Sequence, residues 1–327
     1  MALTVGIVGL GKMGFLHASL LSTLPGVEVR AVCEPQGSVR RFGGKMLPAI
    51  RFVRTVGELK GLDLDAVYVT TPPQSHAAVV RTVLGGGIAA HLFVEKPLAG
   101  SAREGEEMVA LARAHGGVTM VGYQKRFAVT FRKARDLLRD GAVGEVRSAD
   151  AYAYSSDFAQ AGAHHPQARA RGGVLRDLGC HAVDLLLWFF GDVDEVSRAA
   201  EGAAETGGIL AALTTTSGLS CTLSVSASRA EYRLPEVGMT VTGSRGRLSV
   251  NGDRVEVEPQ GGGRVVWHRH GLHDHVAFLL AEPEYHREDE HFIQAICSRG
   301  RASPDVEDGA RVEAVIDRME DVLPKTA

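Results

Sequence analysis

Apolar positions in residues 1–122 follow two alternating patterns. Short runs of consecutive β-branched residues are typical of strands covered on both faces, and longer stretches with apolar residues three or four apart are typical of helices. The predicted strands are Leu3–Val8, Val27–Cys33, Ala66–Thr71, Ala89–Val94 and Val118–Val121, and the predicted helices are Lys12–Leu24, His76–Leu84 and Ala102–His115. Strands that alternate with helices predict a doubly wound α/β domain with a parallel sheet over residues 1–122.

Residues 123–327 follow a different pattern, in which polar and apolar residues alternate within short segments separated by glycine turns. The predicted strands are Glu145–Ser155, Glu195–Gly202, Ile209–Thr216, Ser220–Ser228, Gly238–Thr242, Arg247–Val250, Val255–Glu258 and Arg264–His268. Helices are predicted at Ala128–Arg139, Asp177–Phe190, Arg287–Ser298 and Val306–Val322. This pattern predicts a second, α+β domain with a large, mostly antiparallel sheet that is covered on one face.

The second domain has few helices for the size of its sheet. Runs such as Leu219–Val225 and Met239–Val241 would then leave apolar area exposed, which a monomer rarely does. We therefore expect a homo-oligomer, a homodimer or a homotetramer.

Composition excludes several classes of protein. The net charge is −3, without a long run of one sign, so the basic footprint of a nucleic-acid or membrane-surface protein is missing. The longest nearly apolar stretch, Val183–Phe190, carries Asp184 and is far shorter than the roughly 20 residues of a membrane span. The amino terminus lacks a signal-peptide pattern, and the four cysteines form no Cys-x-x-Cys pair. These features predict a cytoplasmic protein with reduced thiols and a small-molecule substrate.

A glycine-rich turn follows the first predicted strand. Gly9-x-Gly11-x-x-Gly14 stands between that strand and a helix, the context in which such a turn holds the pyrophosphate of a dinucleotide. Gly9 permits the tight turn, Gly11 the approach of the backbone to phosphate, and Gly14 close helix packing. The free amides at the helix start, at Lys12 and Met13, complete the predicted cradle.

An acidic residue ends the second predicted strand. Glu34 lies twenty residues after Gly14, where a carboxylate accepts the adenosine ribose hydroxyls and repels a 2′-phosphate. This position favours NAD over NADP. Arg40 and Arg41 follow closely and can receive a phosphate, so NADP stays open as an alternative.

Two further motifs carry candidate chemistry. Asp177 and His181 are four residues apart on a predicted helix, so the carboxylate can orient the imidazole for acid–base work near neutral pH. A helix cap beside a buried histidine explains the same pair equally well. Lys96, at the end of the strand before Pro97, is by position alone a surface lysine.

The order and spacing of these motifs resemble the glucose-fructose oxidoreductase / inositol dehydrogenase (Gfo/Idh/MocA) family over nearly the whole chain. The motifs that carry the resemblance are Gly9-x-Gly11-x-x-Gly14, Thr71-Pro72-x-x-x-His76, Glu95-Lys96-Pro97, Gly122-Tyr-Gln-Lys-Arg-Phe127 and Gly172-Gly-x-Leu-x-Asp177-x-Gly-x-His181-x-x-Asp184. The resemblance implies a Rossmann domain, an open-faced second sheet, and NAD(P)-dependent oxidation or reduction of a hydroxyl or ketone of a sugar, cyclitol or related polyol.

The resemblance also implies roles for individual residues. Lys96, Asp177 and His181 would form the catalytic trio, with His181 as the base, Lys96 as the electrostatic stabiliser and Asp177 as the orienter. A cis peptide is expected between Lys96 and Pro97. The cofactor-binding residues implied are Gly9, Gly11, Lys12, Met13, Gly14, Glu34, Thr71, Pro72, His76, Glu95, Lys96 and Gln124.

Other interpretations stay open at this point. No metal is expected, because the histidines 268, 270, 273 and 275 lie without a carboxylate or cysteine at zinc spacing. His164, His165, Arg169 and Arg171 either meet substrate or form a solvated loop, and Tyr152, Tyr154, Asp157 and Tyr232 are expected to shape the substrate pocket. The alternative functions are an NAD-dependent glycosidase acting through transient oxidation and a non-catalytic nucleotide-sensing regulator on the same fold.

Overall fold

The computed structural model describes residues 2–157, 172–201, 208–273 and 283–323. Its strands are β1 (Leu3–Val8), β2 (Val27–Cys33), β3 (Arg51–Val53), β4 (Ala66–Val69), β5 (His91–Val94), β6 (Thr119–Val121), β7 (Val146–Tyr154), β8 (Val193–Glu201), β9 (Gly208–Thr215), β10 (Ser220–Ser226), β11 (Glu236–Gly243), β12 (Gly246–Asn251), β13 (Arg254–Pro259) and β14 (Val265–His268). Its helices are α1 (Lys12–Leu21), α2 (Gly37–Met46), α3 (His76–Gly85), α4 (Ala102–His115), α5 (Val129–Arg139), α6 (Cys180–Phe190), α7 (Glu284–Cys297) and α8 (Val306–Val322).

The chain divides into two compact units. The first comprises Met1–Tyr123 and Tyr285–Glu313, and the second comprises Gln124–Glu284 and Ala314–Ala327. The predicted division gave all of residues 123–327 to the second domain, so the structure differs by assigning Tyr285–Glu313 to the first unit. The pattern of apolar residues in a helix shows which face is buried, but it does not show which sheet that face covers.

The first unit contains a six-stranded sheet in the order β3-β2-β1-β4-β5-β6, and every pair is parallel. The predicted doubly wound parallel sheet is confirmed. The order reverses between β1 and β4, and ligands of such sheets bind outside the carboxyl ends of the strands at this point. Sequence patterns missed α2 and β3, because α2 is rich in glycine and β3 is only three residues long.

An aromatic cluster explains why α7 belongs to the first unit. The rings of Tyr68 on β4 and Phe93 on β5 stack with centroids 4.4 Å apart. Phe292 of α7 packs edge-on against both rings, with centroids 5.6 Å and 5.8 Å away. All three side chains are fully buried, so α7 completes the core on this face of the sheet.

The second unit contains an eight-stranded sheet in the order β14-β13-β12-β11-β7-β10-β9-β8. Strands β7 and β10 pair in parallel, and the other neighbours are antiparallel. The predicted large, mostly antiparallel sheet is confirmed.

The expectation that this sheet exposes apolar runs is wrong. Leu223, Val225, Met239 and Val241 are at most 1% exposed. They point to the face on which the helical segment before α6 packs, where a Cβ on Gly179 would lie 3.1 Å from the Val225 side chain. Alternation along each strand turns the polar partners of these residues to the opposite, open face.

Candidate functional site

The glycine-rich turn lies at the carboxyl end of β1 and has the conformation that its sequence predicts. Gly9 has φ +97°, and a Cβ at Gly14 would lie 2.1 Å from the Gly9 carbonyl oxygen, so neither position tolerates a side chain. A Cβ at Gly11, in contrast, would meet nothing within 4 Å. No side chain caps the N-terminus of α1, where the amides of Lys12 and Met13 lie. These features fit a pyrophosphate.

The segment after β4 braces this turn. The Thr70 hydroxyl donates to the carbonyl oxygen of Gly9 at 2.7 Å, and the Ser75 hydroxyl donates to the Thr71 hydroxyl at 2.7 Å. The Pro72 backbone precedes a short 3-10 turn that leads into α3. The loop of Thr71 and Pro72 therefore lies at the strand ends beside the glycine turn, as the sequence predicts.

His76 holds two loops together through its ring. One ring nitrogen lies 2.8 Å from the Thr71 carbonyl oxygen, and the other lies 3.1 Å from the carbonyl oxygens of Pro97 and Leu98. The side chain is fully buried, and this burial lowers the pKa of His76, although the carbonyl oxygens act in the opposite direction. These contacts give His76 a bracing role, and its predicted contact with cofactor stays a prediction.

Glu34 at the end of β2 is 7% exposed and is bound by two backbone amides. The Leu10 amide donates to one carboxylate oxygen at 3.0 Å, and the Gln36 amide donates to the other at 2.7 Å. The carboxylate is thus fixed beside the glycine turn, where it can still accept hydroxyl groups. Arg40 donates to the carbonyl oxygens of Glu34 and Pro35, which places a guanidinium near the same edge.

The Glu95-Lys96-Pro97 segment follows β5. The Lys96–Pro97 peptide bond is cis, as predicted. Glu95 is 5% exposed, and one of its carboxylate oxygens accepts the Lys96 amide at 3.0 Å. The other oxygen lies 2.9 Å from a ring nitrogen of His17 on α1.

His17 joins Glu95 to α7. Its second ring nitrogen lies 2.8 Å from a carboxylate oxygen of Asp289, and both His17 and Asp289 are completely buried. Burial opposes a charge here, yet the carboxylates of Asp289 and Glu95 outweigh it and raise the pKa of His17 well above its ordinary value. Sequence reasoning missed this network. The available signal was a lone histidine on the apolar face of α1, between Gly14 and Leu20.

The Asp177–His181 pair lies in the second unit. Asp177 belongs to a π-helical turn, Leu175–Gly179, and His181 to the first turn of α6, where it is 6% exposed. The prediction of a regular helix across both residues is therefore wrong in its first turn. π-helical turns are frequent at functional sites. Gly172 and Gly173, which precede the turn, have φ of +87° and +84° and require glycine.

Asp184, further along α6, forms a buried ion pair with Arg126. The guanidinium contacts both carboxylate oxygens, with Nη2–Oδ1 at 2.6 Å and Nε–Oδ2 at 2.9 Å. Gln124, in the same short 3-10 turn as Arg126, is 4% exposed. Within the second unit, this ion pair joins the motif that contains Arg126 to the motif that ends at Asp184.

The tyrosines expected to shape a substrate pocket lie on the open face of the second sheet. The rings of Tyr152 and Tyr154 stack at 4.9 Å, and their hydroxyls donate to Glu236 and Ser224. Alternation along β7 turns these side chains away from the face that the π-helical turn covers. The structure thus places Tyr152 and Tyr154 on the face of β7 opposite the π-helical turn, and their expected part in shaping a substrate pocket stays a prediction.

Several of the predicted residues lie in parts of the chain that the structure does not describe. His164, His165, Arg169, Arg171 and His275 lie outside the described residues. Among residues 2–157, 172–201, 208–273 and 283–323, no group of three or more metal-ligating side chains is found. No helix in the described part of the chain is long and apolar enough to cross a membrane.

Comparison with known proteins agrees with this architecture. Residues 3–123 match the model of the Gfo/Idh/MocA oxidoreductase family, with an NAD-binding Rossmann fold, and residues 131–249 match the Gfo/Idh/MocA C-terminal domain. An uncharacterized oxidoreductase of Bacillus subtilis (strain 168) is 27% identical over 211 residues, which are 62% of this chain and 58% of the relative.

Two other similarities extend over almost the full length. Inositol 2-dehydrogenase of Rhizobium meliloti (strain 1021) is 27% identical over 335 residues, covering 97% of this chain and 96% of the relative. A levoglucosan dehydrogenase solved with NADH and levoglucosan has the same fold, with a TM-score of 0.86 at 18% identity, covering 98% of this chain and 97% of that one. With both of its domains matched by the family models, this chain belongs to the Gfo/Idh/MocA family of NAD(P)-dependent oxidoreductases.

Proposed function

We propose that this chain exchanges a hydride between a nicotinamide dinucleotide and a secondary hydroxyl or ketone carbon of a sugar, a cyclitol or a related polyol. One observation carries the proposal: the chain has a buried histidine, His181, on a helix whose preceding π-helical turn carries Asp177. The names of an inositol dehydrogenase and a levoglucosan dehydrogenase among similar proteins support the substrate class.

The proposed cofactor site uses the residues at the carboxyl edge of the first sheet. We assign the phosphates to the open space at Gly11 and to the α1 amides at Lys12 and Met13, and the ribose hydroxyls to Glu34; the space beside Gly11, the absence of a side-chain cap on α1 and the fixed Glu34 carboxylate support this assignment. The nicotinamide supplies the hydride acceptor or donor when the dinucleotide is bound. Because the Glu34 carboxylate would repel a 2′-phosphate, we propose NAD as the preferred form.

His181, Lys96 and Asp177 divide the remaining chemistry. In oxidation, the His181 imidazole takes the proton from the substrate hydroxyl as the carbon loses its hydride, and in reduction it returns that proton to the ketone oxygen. The Lys96 ammonium stabilises the negative charge that develops on this oxygen. Asp177 orients the imidazole and stabilises its charged form.

A substrate panel tests the proposal. Inositols, anhydrosugars, free sugars and nucleotide sugars are each offered with NAD and with NADP, and the absorbance of the reduced nicotinamide is followed. We expect at least one polyol to give turnover that depends on both components. Cofactor binding without turnover on any compound would argue against the proposed reaction, and glycoside cleavage without net reduction of NAD would replace it with transient oxidation.

We propose in addition that the chain forms a homodimer or homotetramer through the open face of the second sheet. The apolar runs of β10 and β11 are buried, so the support comes from the open face itself. The open face carries the partly exposed Tyr152 and Tyr154, and Leu210 on β9 is 54% exposed. Aromatic residues are enriched at the centres of protein interfaces.

We also propose that the protein acts in the cytoplasm on small molecules and without nucleic acid. Cysteines 33, 180, 221 and 297 form no disulfide, and burial raises the pKa of the Cys33 and Cys221 thiols to about 11. Reduced thiols are typical of a reducing compartment. The net charge of −3 offers no general attraction to a polyanion.

A further inference from the structure

Three side chains in the first unit form a continuous polar path through its interior. Asp289 of α7 contacts His17 of α1 at 2.8 Å, and His17 contacts Glu95 at the end of β5 at 2.9 Å. The side chains of His17 and Asp289 are 0% exposed and that of Glu95 is 6% exposed. All of these contacts are between side chains of the first unit, and neither His17 nor Asp289 is assigned a contact with substrate or cofactor.

The protonation state of the path follows from its geometry. Both ring nitrogens of His17 face carboxylate oxygens, so only the doubly protonated imidazolium donates a hydrogen bond in both directions. A neutral ring would leave a lone pair opposite one carboxylate. The charged ring satisfies both carboxylates, in keeping with the raised pKa of His17, while burial raises the pKa of Asp289 as well.

The end of the path lies at Lys96. The carboxylate oxygen of Glu95 that does not contact His17 accepts the Lys96 backbone amide at 3.0 Å. Gly122 closes the space beside it, because a Cβ there would lie 3.2 Å from the same oxygen. One oxygen of the Glu95 carboxylate thus contacts His17, and the other accepts a hydrogen bond from the Lys96 backbone amide.

Stability alone is a poor explanation for this arrangement. Removing charges from water is costly, and well-packed apolar residues in place of a buried ion pair are often neutral or stabilising. Aromatic rings already surround His17, with Phe93 at 5.0 Å and Tyr68 at 5.3 Å between ring centroids. An apolar side chain at position 17 would suit these neighbours.

We propose that His17, backed by Asp289, is a positioning residue that fixes Lys96 for the reaction by orienting the Glu95 carboxylate. This inference rests on the proposed function, in which the Lys96 ammonium stabilises charge on the substrate oxygen. A small displacement of such a group has a large effect, since a shift of about 1 Å can reduce turnover by about a hundredfold.

The test compares His17→Gln and Asp289→Asn with a matched control in the same core. Asp289→Asn keeps an oxygen that accepts from His17 and removes only the far charge, so it serves if His17→Gln fails to fold. Phe292→Leu is the control, because Phe292 lies on the same helix as Asp289 and packs on the rings of Tyr68 and Phe93. Its volume loss should lower the melting temperature and leave turnover unchanged.

Two measurements follow on the full-length protein. We expect kcat to fall about 10- to 100-fold in His17→Gln and about tenfold in Asp289→Asn, with the Kd for NAD changed less than about threefold. Hydrogen exchange at the Lys96 amide, read without cofactor, should become faster in both variants and stay slow in Phe292→Leu.

The outcomes separate the inference from the proposed function. If Lys96→Met loses turnover while His17→Gln keeps it, or if Lys96 amide exchange follows melting temperature equally in all variants, the positioning role is overturned and the proposed reaction stands. If Lys96→Met keeps full turnover on an identified substrate, the role of Lys96 in the proposed function fails, and the inference fails with it.

Discussion

At the scale of single residues, His181 and Glu34 bear on different parts of the proposed reaction. His181 is buried on α6 of the second unit, and Glu34 directly follows β2 of the first. Because the proposed roles of these two residues differ, substitutions there should separate turnover from cofactor binding.

For His181→Ala, we expect kcat to fall about a hundredfold or more, the usual scale for losing an acid–base group. The Kd for NAD should stay nearly unchanged, because the glycine turn and Glu34 hold the dinucleotide. Asp177→Asn should cause a smaller loss, since an orienting group is removed and the base remains. Steady-state kinetics on a substrate from the panel, beside NAD titration, measures both, and near wild-type turnover of His181→Ala between pH 6 and 9 would move the base elsewhere, to Lys96 first.

For Glu34, we expect NAD to bind more tightly than NADP, because the carboxylate lies where a 2′-phosphate would sit. Glu34→Gln should narrow the difference, since the amide keeps the size of the side chain and removes its charge. Arg40 then becomes the neighbouring cation available to the phosphate. Fluorescence titration with both reduced cofactors is the measurement, and tighter NADP binding by the unchanged protein would contradict the assignment.

At the scale of secondary-structure elements, buried charges connect segments that are distant in sequence. Arg126 joins the turn before α5 to Asp184 on α6 inside the second unit, and His17 joins α1 to β5 and α7 inside the first. Both sets of contacts are buried, so loss of one partner leaves an uncompensated charge.

For Arg126→Met, we expect unfolding free energy to fall by about 3 to 5 kcal/mol, the usual cost of breaking a buried pair from one side. Arg139→Met is the control, because the Arg139 side chain is 71% exposed in its pairs with Asp136 and Asp140. Exposed pairs contribute about 0 to 1 kcal/mol. Urea unfolding of both variants gives the comparison, and equal losses would show that the Arg126 pair is screened by water.

The His17 network should make the stability of the protein depend on pH. The pKa of His17 is raised in the folded state by Asp289 and Glu95, so its contribution is fully present below its unfolded pKa of about 6.5. The contribution is then lost as pH rises through the folded pKa. The titratable groups facing the ring are Asp289, Glu95, Tyr68 and Tyr285. We expect the stability difference between the unchanged protein and His17→Gln to be larger at pH 6 than at pH 9, measured by urea unfolding; a constant difference would mean a neutral ring.

The outcome for these elements shows what sequence patterns can predict. Strand and helix periodicity predicted both sheets and most element bounds, because burial on one or two faces leaves a direct pattern in the chain. The pattern missed α2, whose Gly37, Gly43 and Gly44 disfavour a helix. The contact of His17 with Asp289 spans 272 positions, and a single sequence carries no signal for such a pairing.

At the scale of the whole molecule, the open face of the second sheet predicts association. We expect light scattering at micromolar concentration to give the mass of a dimer or tetramer of the 34.8 kDa chain. Leu210→Glu, which puts a charge on the exposed side of β9, should shift the equilibrium towards monomer.

The control for the association test is a surface residue outside the proposed interface. Val322→Glu also adds a charge to a surface residue, 44% exposed at the end of α8, the helix that contacts Arg176 of the π-helical turn, and it should leave the mass unchanged. A monomer for the unchanged protein would end the proposal, and equal dissociation by both variants would point to a general effect of charge.

Because Tyr285–Glu313 belongs to the first unit, that unit cannot complete its folding until the ribosome has made this late segment. When residue 123 has been made, all six strands of the first sheet exist, but Asp289 and Phe292, which cover His17 and the Tyr68–Phe93 stack, do not. The remaining stretch to residue 313 is 313 − 123 = 190 residues, which takes about 10 to 40 s at usual synthesis rates of roughly 5 to 20 residues per second. During that interval the rings of Tyr68 and Phe93 lack the cover of Phe292, and His17 lacks its partner Asp289. The first unit, although its strands are made first, therefore reaches its final state only after almost all of the second unit has been made.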